Sequence, residues 1–245
     1  MTLWLRSLAF NIGFYVWTVA MAFGALPLLL FDRSNTLHAM AFWTRGVDWL
    51  LRVLVNVRIE IRGREHLPLT PCVVASKHQS AWDTMTWHTL LPDPAMVMKK
   101  ELMNIPLYSA HAGRIGMIPV DRDAGAVALR GLLKGAQKAK ADGRHIVIFP
   151  EGTRSAIGAP PDYQPGIAAL YRSLDLPVVP VALNSGVFWP RHRFIRQPGT
   201  LVLEFLPPIV PGLKREAFMA ELENRIETAT DRLVAEAQVK LSAPA

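Results

Sequence analysis

Hydrophobic and polar positions follow two rhythms along this chain. "VRIEIR" over 57–62 alternates apolar and charged side chains, the period of a half-exposed strand. Short apolar runs come next, at 72–76 "CVVAS", 95–98 "AMVM", 115–120 "IGMIPV", 145–149 "HIVIF", 178–183 "VVPVAL" and 201–206 "LVLEFL", each the length of a buried strand. Between several of them the spacing lengthens to that of a helix. Residues 124–142 are rich in Ala, Leu and Lys and stop at Gly143, and 168–174 "AALYRSL" predicts a shorter helix. Over 213–239, Leu213, Ala217, Phe218, Leu222, Ile226, Ala229 and Leu233 form one helical stripe. "SAIGAPPDYQPG" over 155–166, with three prolines and two glycines, predicts a loop. This alternation predicts an α/β domain over 57–245, a largely parallel central sheet flanked by helices.

Residues 1–56 read differently. From Ser7 to Phe31 there are 25 residues without a charge, bracketed by Arg6 and Asp32–Arg33. As one helix this segment would be about 37 Å long, against a hydrocarbon core of roughly 30 Å. Asn11, Gly13, Gly24 and Pro27 interrupt it and predict a bend, while Trp4, Tyr15 and Trp17 suit the headgroup level. The next segment, 35–56, predicts an amphipathic helix with Leu37, Met40, Ala41, Trp43, Val47, Leu50, Leu51, Leu54 and Val55 on its apolar face and Arg45, Asp48 and Arg52 elsewhere. Together the two segments predict an N-terminal two-helix motif that associates with a membrane. A secretory signal peptide fits less well, because the run is too long and too aromatic.

Composition sharpens this. The chain of 245 residues is 51% hydrophobic and 19% charged, with a net charge of +7, a balance suited to an anionic partner. Aromatics cluster in the apolar N-terminus instead of interleaving with basic residues, which argues against nucleic acid as that partner. The single cysteine, Cys72, excludes an internal disulfide and a multi-cysteine zinc site, and its apolar setting reads as an inert core thiol. Neither a metalloprotease helix motif nor a nucleotide-binding glycine loop is present, so no metal or organic cofactor is expected.

Candidate chemistry sits just after the apolar runs. Lys77 and His78 follow the first of them, Lys99, Lys100 and Glu101 the second, Asp121 and Arg122 the third, "PEGTR" the fourth and Asn184 the fifth. In an open parallel sheet the carboxyl ends of the strands share one edge, and ligands bind there. A histidine followed five positions later by an aspartate occurs twice, as His78 and Asp83 in "HQSAWD" and as His88 and Asp93 in "HTLLPD". Five residues along a helix is a rotation of about 140°, so such a pair meets only if the histidine stands before the helix. His78 does, and Ser80 with Asp83 has the form of a capping box; His88 reads as a helix-face residue. "FPEGTRS" over 149–155 combines a tight turn at Gly152, backbone N–H groups able to cradle an anion, and the Arg154 fork. Glu151 is expected to fix Arg154, Arg122 or the loop, or to bind a hydroxyl.

The four clusters, "HQSAWD", "GMIPVDR", "FPEGTRS" and "VPVALN", together with "KKEL" at 99–102, resemble the glycerolipid acyltransferase family over about 57–206, and most nearly its 1-acyl-glycerol-3-phosphate acyltransferases. Pro119 is a departure, at a place where the family usually has an aromatic or aliphatic residue. The resemblance implies transfer of an acyl group from a thioester, acyl-CoA or an acyl carrier protein, to the free hydroxyl of lysophosphatidic acid, giving phosphatidic acid. It implies His78 as general base and Asp83 as its partner. Lys100, Arg122, Glu151, Gly152, Thr153 and Arg154 are implied as residues that hold the acceptor. The N-terminal helices fit bacterial members, with the catalytic domain on the cytoplasmic side of the inner membrane. Another lysolipid or glycerol 3-phosphate is an alternative acceptor, and a non-catalytic protein binding anionic lipid is an alternative function. A serine hydrolase is disfavoured: there is no G-x-S-x-G elbow and Ser80 stands only two residues after His78. "RHRFIR" over 191–196 is a solvated loop or a contact for the donor.

Overall fold

A computed structural model describes residues 2–242. The strands are β1 Val57–Arg62, β2 Val73–Ser76, β3 Ala95–Lys99, β4 Ile118–Val120, β5 Ile146–Ile148, β6 Val178–Leu183 and β7 Gly199–Phe205. The described residues form one sheet in the order β1-β7-β6-β2-β5-β3-β4. From β6 to β4 every pairing is parallel; β7 joins β6 antiparallel and carries β1 parallel to itself. The expected α/β class and largely parallel sheet are therefore present, and the carboxyl ends of β2, β3, β4, β5 and β6 lie on one edge.

Alternation sorts the strand residues between two helical layers. Val73, Ala75, Ile146, Ile148 and Val178 face α6 Gly125–Ala141, α7 Gly166–Leu174 and α9 Arg215–Ser242, through Leu132, Leu170, Phe218, Leu222 and Ile226. On the other face Val74, Val147, Val179 and Val181 share a core with Trp82 of α3 Trp82–Met85 and Trp87 of α4 Trp87–Leu90. Phe10, Val47, Leu51 and Val55 of the N-terminal helices lie in that same core, so the described parts of 1–56 and 57–245 share one core. Cys72 is fully buried there, and burial pushes its thiol up to about 12.

Two of the predicted runs are recast. The strand expected at 115–120 is only Ile118–Val120, because Gly116 takes a left-handed turn (φ +63°) after Ile115, which closes the helix α5 Pro106–Arg114. Pro119 disturbs nothing, since β4 is an edge strand that pairs with β3 alone. Of the four interruptions expected in the charge-free N-terminal segment, Gly24 and Pro27 fall where the α-helix ends, whereas the helix runs unbroken through Asn11 and Gly13. Helix α1 spans Leu3–Gly24, and Leu26–Leu30 tightens into a 3₁₀ turn.

Helix α2, Arg33–Leu50, lies against α1 and continues as a wider π turn over Leu51–Val55 before left-handed Asn56 (φ 63°) leads into β1. Trp17 donates its indole N–H to the Trp43 carbonyl (2.9 Å), and Trp43 donates to Thr18 Oγ1 (3.1 Å). Trp17 is thus spent inside the hairpin instead of at a headgroup. Gly46 is what admits it: a Cβ there would stand 2.3 Å from the indole nitrogen. Trp4 and Tyr15 are exposed. So are Phe42, Trp49 and Val53 of the α2 segment, which the single-face reading left out. Among the described residues one helical stretch, Leu3–Leu30, is long and apolar enough to cross a membrane, and only 6% of its most apolar window is buried.

Candidate active site

His78 leaves the carboxyl end of β2 two residues after Ser76, and the chain turns before α3 begins. That turn does what the spacing required. The Nδ1 of His78 lies 3.0 Å from Asp83 Oδ2, and the same oxygen accepts the backbone N–H groups of Gln79 (2.7 Å) and Ser80 (2.7 Å). Asp83 is fully buried, so this one carboxylate fixes both the turn and the ring. A carboxylate oxygen accepts, which puts the proton of neutral His78 on Nδ1 and leaves Nε2 a lone pair. The ring stacks on Phe149 at 4.2 Å. Ser80 is fully buried and its Oγ accepts the Trp82 N–H (3.2 Å), so it is not presented as a nucleophile.

The second pair does not form. Asp93 is held by the fork of Arg33 (2.6 and 2.6 Å) and by Arg144 (3.0 Å). His88, buried in α4, is pushed down to about 4 by burial, which Asp93 only partly opposes.

After β5, Gly152 turns with φ +67°, and its N–H returns to the Phe149 carbonyl (2.9 Å). The Ser155 N–H donates to the His78 carbonyl (2.9 Å), which stitches the two motifs together. Among the described residues the backbone N–H groups of Thr153 and Arg154 have no protein acceptor. The guanidinium of Arg122 lies over Gly152, its carbon 3.7 Å from where a Cβ would stand.

These pieces surround one cavity of about 460 Å³ at the carboxyl edge of the sheet. His78, Lys99, Arg122, Gly152, Thr153 and Arg154 line its polar half, and Met40, Trp43, Met85, Met96, Met98 and Met117 its apolar half. A second, almost wholly apolar cavity of about 250 Å³ between α1, α2 and α5 shares Met40, Trp43, Tyr108 and Met117 with it. Lys100 and Glu151 are not brought to the wall. Lys100 is exposed and pairs with Asp121 (3.3 Å). Glu151 is buried; it accepts from Lys77 (3.0 Å) and from the Ser155 hydroxyl (2.9 Å), so it fixes the loop and touches neither arginine. Asn184 is buried between β7 and α9, bonded to the Val202 N–H (2.8 Å) and the Leu233 carbonyl (3.2 Å), away from the cavity.

Two residues named in the sequence take partners that the sequence reading did not give them. Lys77 is buried and bonds Glu151 and both oxygens of Glu227 (2.9 and 2.8 Å), tying α9 to the loop; partners 74 and 150 residues away left no local signal. Arg191, in the basic loop seen at 191–196, lines the cavity and donates to the Arg154 carbonyl (3.0 Å) and Thr153 Oγ1 (3.3 Å). Burial, and next the neighbouring charge of Arg191, lowers the pKa of Arg154, with Asp83 opposing. Among the described residues no group of three or more His, Cys, Asp or Glu is placed to hold a metal ion.

One sheet edge thus gathers an imidazole–carboxylate pair, three arginines and an apolar annex around a shared cavity. Residues 58–184 match the family model described as Acyltransferase. The chain belongs to the acyltransferase family. A 1-acyl-sn-glycerol-3-phosphate acyltransferase from Pseudomonas aeruginosa is 33% identical over 222 residues, 91% of this chain and 86% of that protein. The human 1-acyl-sn-glycerol-3-phosphate acyltransferase alpha is 28% identical, over 85% of this chain and 76% of its own. The crystal structure of the 1-acyl-sn-glycerophosphate (LPA) acyltransferase PlsC from Thermotoga maritima superposes with a TM-score of 0.78, covering 95% of this chain and 98% of that one. At 22% identity that likeness speaks for the fold.

Proposed function

We propose that this enzyme moves a fatty acyl group from a thioester, acyl-CoA or an acyl carrier protein, to the free hydroxyl of 1-acyl-glycerol 3-phosphate, giving phosphatidic acid. The observation that carries the reading is the single cavity in which the His78 ring, bonded to Asp83, shares a wall with Arg122 and Arg154. Nε2 of His78 takes the hydroxyl proton as the oxygen attacks the thioester carbonyl carbon. The tetrahedral adduct collapses with cleavage of the C–S bond, and the thiolate leaves with the proton carried by the imidazolium. Asp83 stabilises that imidazolium in between. The arginines and the free N–H groups of Thr153 and Arg154 hold the phosphate, and the apolar annex takes an acyl chain. Lys100 guides the anionic acceptor from the rim, and Glu151 acts through Ser155 on the loop.

The same reading puts the hairpin in a membrane, lying along one leaflet. Helix α1 touches the rest of the protein at both ends: the Trp4 and Phe194 rings are 5.7 Å apart, and the Ala22 carbonyl lies 3.2 Å from His111 Nε2. A helix fastened at both ends cannot reach across a bilayer away from the domain. Its exposed aromatic and aliphatic side chains suit the acyl boundary, on the side that supplies thioesters. In a bacterium that is the cytoplasmic leaflet of the inner membrane.

The test is an acyl-transfer assay of the detergent-purified chain that crosses lysophosphatidic acid, glycerol 3-phosphate and lysophosphatidylcholine with both donor types. Turnover of lysophosphatidic acid well above the other two is expected. Equal rates on all three acceptors, or transfer to water alone, would contradict the assignment.

A further inference from the structure

The loop between α8, Ser185–Phe188, and β7 connects the hairpin to the phosphate end of the cavity. Its far end is bolted to α1. Arg196 is buried, donates Nη2 to Asn11 Oδ1 (3.0 Å) and its backbone N–H to Ser7 Oγ (3.0 Å), and lies over the Trp189 ring. Asn11 in turn donates to the Phe194 carbonyl (3.3 Å), and Trp189 packs edge-on against Phe10 and Phe14. Its near end puts Arg191 against Thr153 and Arg154, with His192 held left-handed (φ 57°) between the two. One Nη1 of Arg191 bonds the loop, and the rest of the fork has a single neighbour, His192 Nε2 (3.0 Å from Nε). Among the described residues Arg122, Arg154 and Arg191 make no ion pair, although all three line one cavity. Arg191 touches the Arg154 carbonyl, its charge adds to burial in lowering the Arg154 pKa, and Arg122 lines the same cavity. Such a cluster is relieved by a dianion, and a phosphate monoester carries a charge of about −1.5 to −2 at neutral pH.

Building on the acceptor reading above, we infer that Arg191 is a third phosphate-binding guanidinium, presented by a strap whose position is set by α1, and that it makes the enzyme select acceptors bearing a phosphate monoester over uncharged acylglycerols. Arg191 binds substrate; Asn11 and Arg196 are positioning residues. The phosphate pocket is then assembled by the helix that meets the membrane.

The experiment compares kcat/KM for lysophosphatidic acid and for the matching monoacylglycerol in detergent-purified wild type, Arg191→Ala, Arg191→Lys and Asn11→Ala. A lost charge-assisted contact is worth a roughly tenfold to hundredfold change. The phosphorylated-to-uncharged ratio is expected to fall by that factor in Arg191→Ala, chiefly through KM, and by less in Arg191→Lys and Asn11→Ala. If Arg191 only braced the loop, both acceptors would suffer alike and the ratio would hold, which overturns the proposal; a wild-type ratio in Asn11→Ala overturns the part of the strap. A binding arm separates this from the acceptor assignment. Lysophosphatidic acid is titrated by tryptophan fluorescence against His78→Ala with and without Arg191→Ala, where a tenfold or greater loss is expected and equal affinity rejects Arg191. Wild type that binds this lipid without acylating it refutes the acceptor reading and leaves the binding comparison decisive.

Discussion

Asp83 does three jobs with one oxygen. It accepts the Gln79 and Ser80 N–H groups and the His78 ring, and it does so fully buried. Each buried N–H left unpaired costs about 1–3 kcal/mol, so Asp83→Ala should unfold the turn as well as free the ring. Asp83→Asn is the cleaner probe. Its amide oxygen still accepts from the backbone, but the carboxylate charge facing the imidazolium is gone. We expect kcat to fall by roughly 10²–10⁴ with the thermal midpoint lowered only slightly, read by steady-state kinetics and a melt. An unchanged kcat would remove Asp83 from the chemistry. This pair was legible in the sequence because its two halves are close along the chain and a strand end precedes them. Lys77, beside His78, was not: nothing near it says that it turns away from the cavity to Glu151 and Glu227.

Elements are held to one another by such buried polar ties. Lys77 joins β2, the loop after β5 and α9, with side-chain exposures of 3% for Lys77, 5% for Glu151 and 21% for Glu227. Removing the cation strands two carboxylates, so Lys77→Met should destabilise by about 3–5 kcal/mol in denaturant melts. Adding Glu151→Gln and Glu227→Gln should recover most of it; no recovery would mean the loss is packing. Asp48 joins α2 to α3 by accepting the Trp82 indole N–H (2.8 Å), and burial raises its pKa to about 6. The sign is that of an acid held protonated by folding: its contribution is fully present below about pH 4 and is lost as pH rises through 6. Asp48→Asn keeps the acceptor and cannot ionise. It should melt higher than wild type at pH 7.5, by an amount on the order of 2 kcal/mol, and match it only below about pH 4. A gap independent of pH would contradict this. The helical wheel placed Asp48 off the apolar face, and only the position of Trp82 shows why it is turned inward. Strand positions were readable because buried strands are short apolar runs; β4 was overextended because Gly116 looks the same in a strand as in a turn.

As a whole, the molecule presents its chemistry on one edge of a sheet whose other neighbour is a helical hairpin with apolar side chains facing outward. Phe42 is 56% exposed and Trp49 60%, and both sit on the outer side of α2. Replacing both with Asp should lower binding to anionic vesicles at least tenfold in a sedimentation assay, while transfer to a short-chain acceptor in detergent is retained. Vesicle binding equal to wild type would take the hairpin out of the membrane. The fold class and the gathering of motifs at the sheet edge followed from the sequence, since parallel topology forces strand ends together. Which polar residues face the cavity did not, because Glu151 and Lys100 follow strands just as Arg154 and Arg122 do, and only the local turn decides their direction. The central claim is that His78 moves the proton while other residues hold the acceptor. The direct measurement is His78→Ala, followed for turnover and for lysophosphatidic acid affinity in the same preparation. The account predicts turnover lower by about a thousandfold or more with affinity within threefold of wild type. Turnover that survives, or affinity that collapses together with it, would contradict that division of labour.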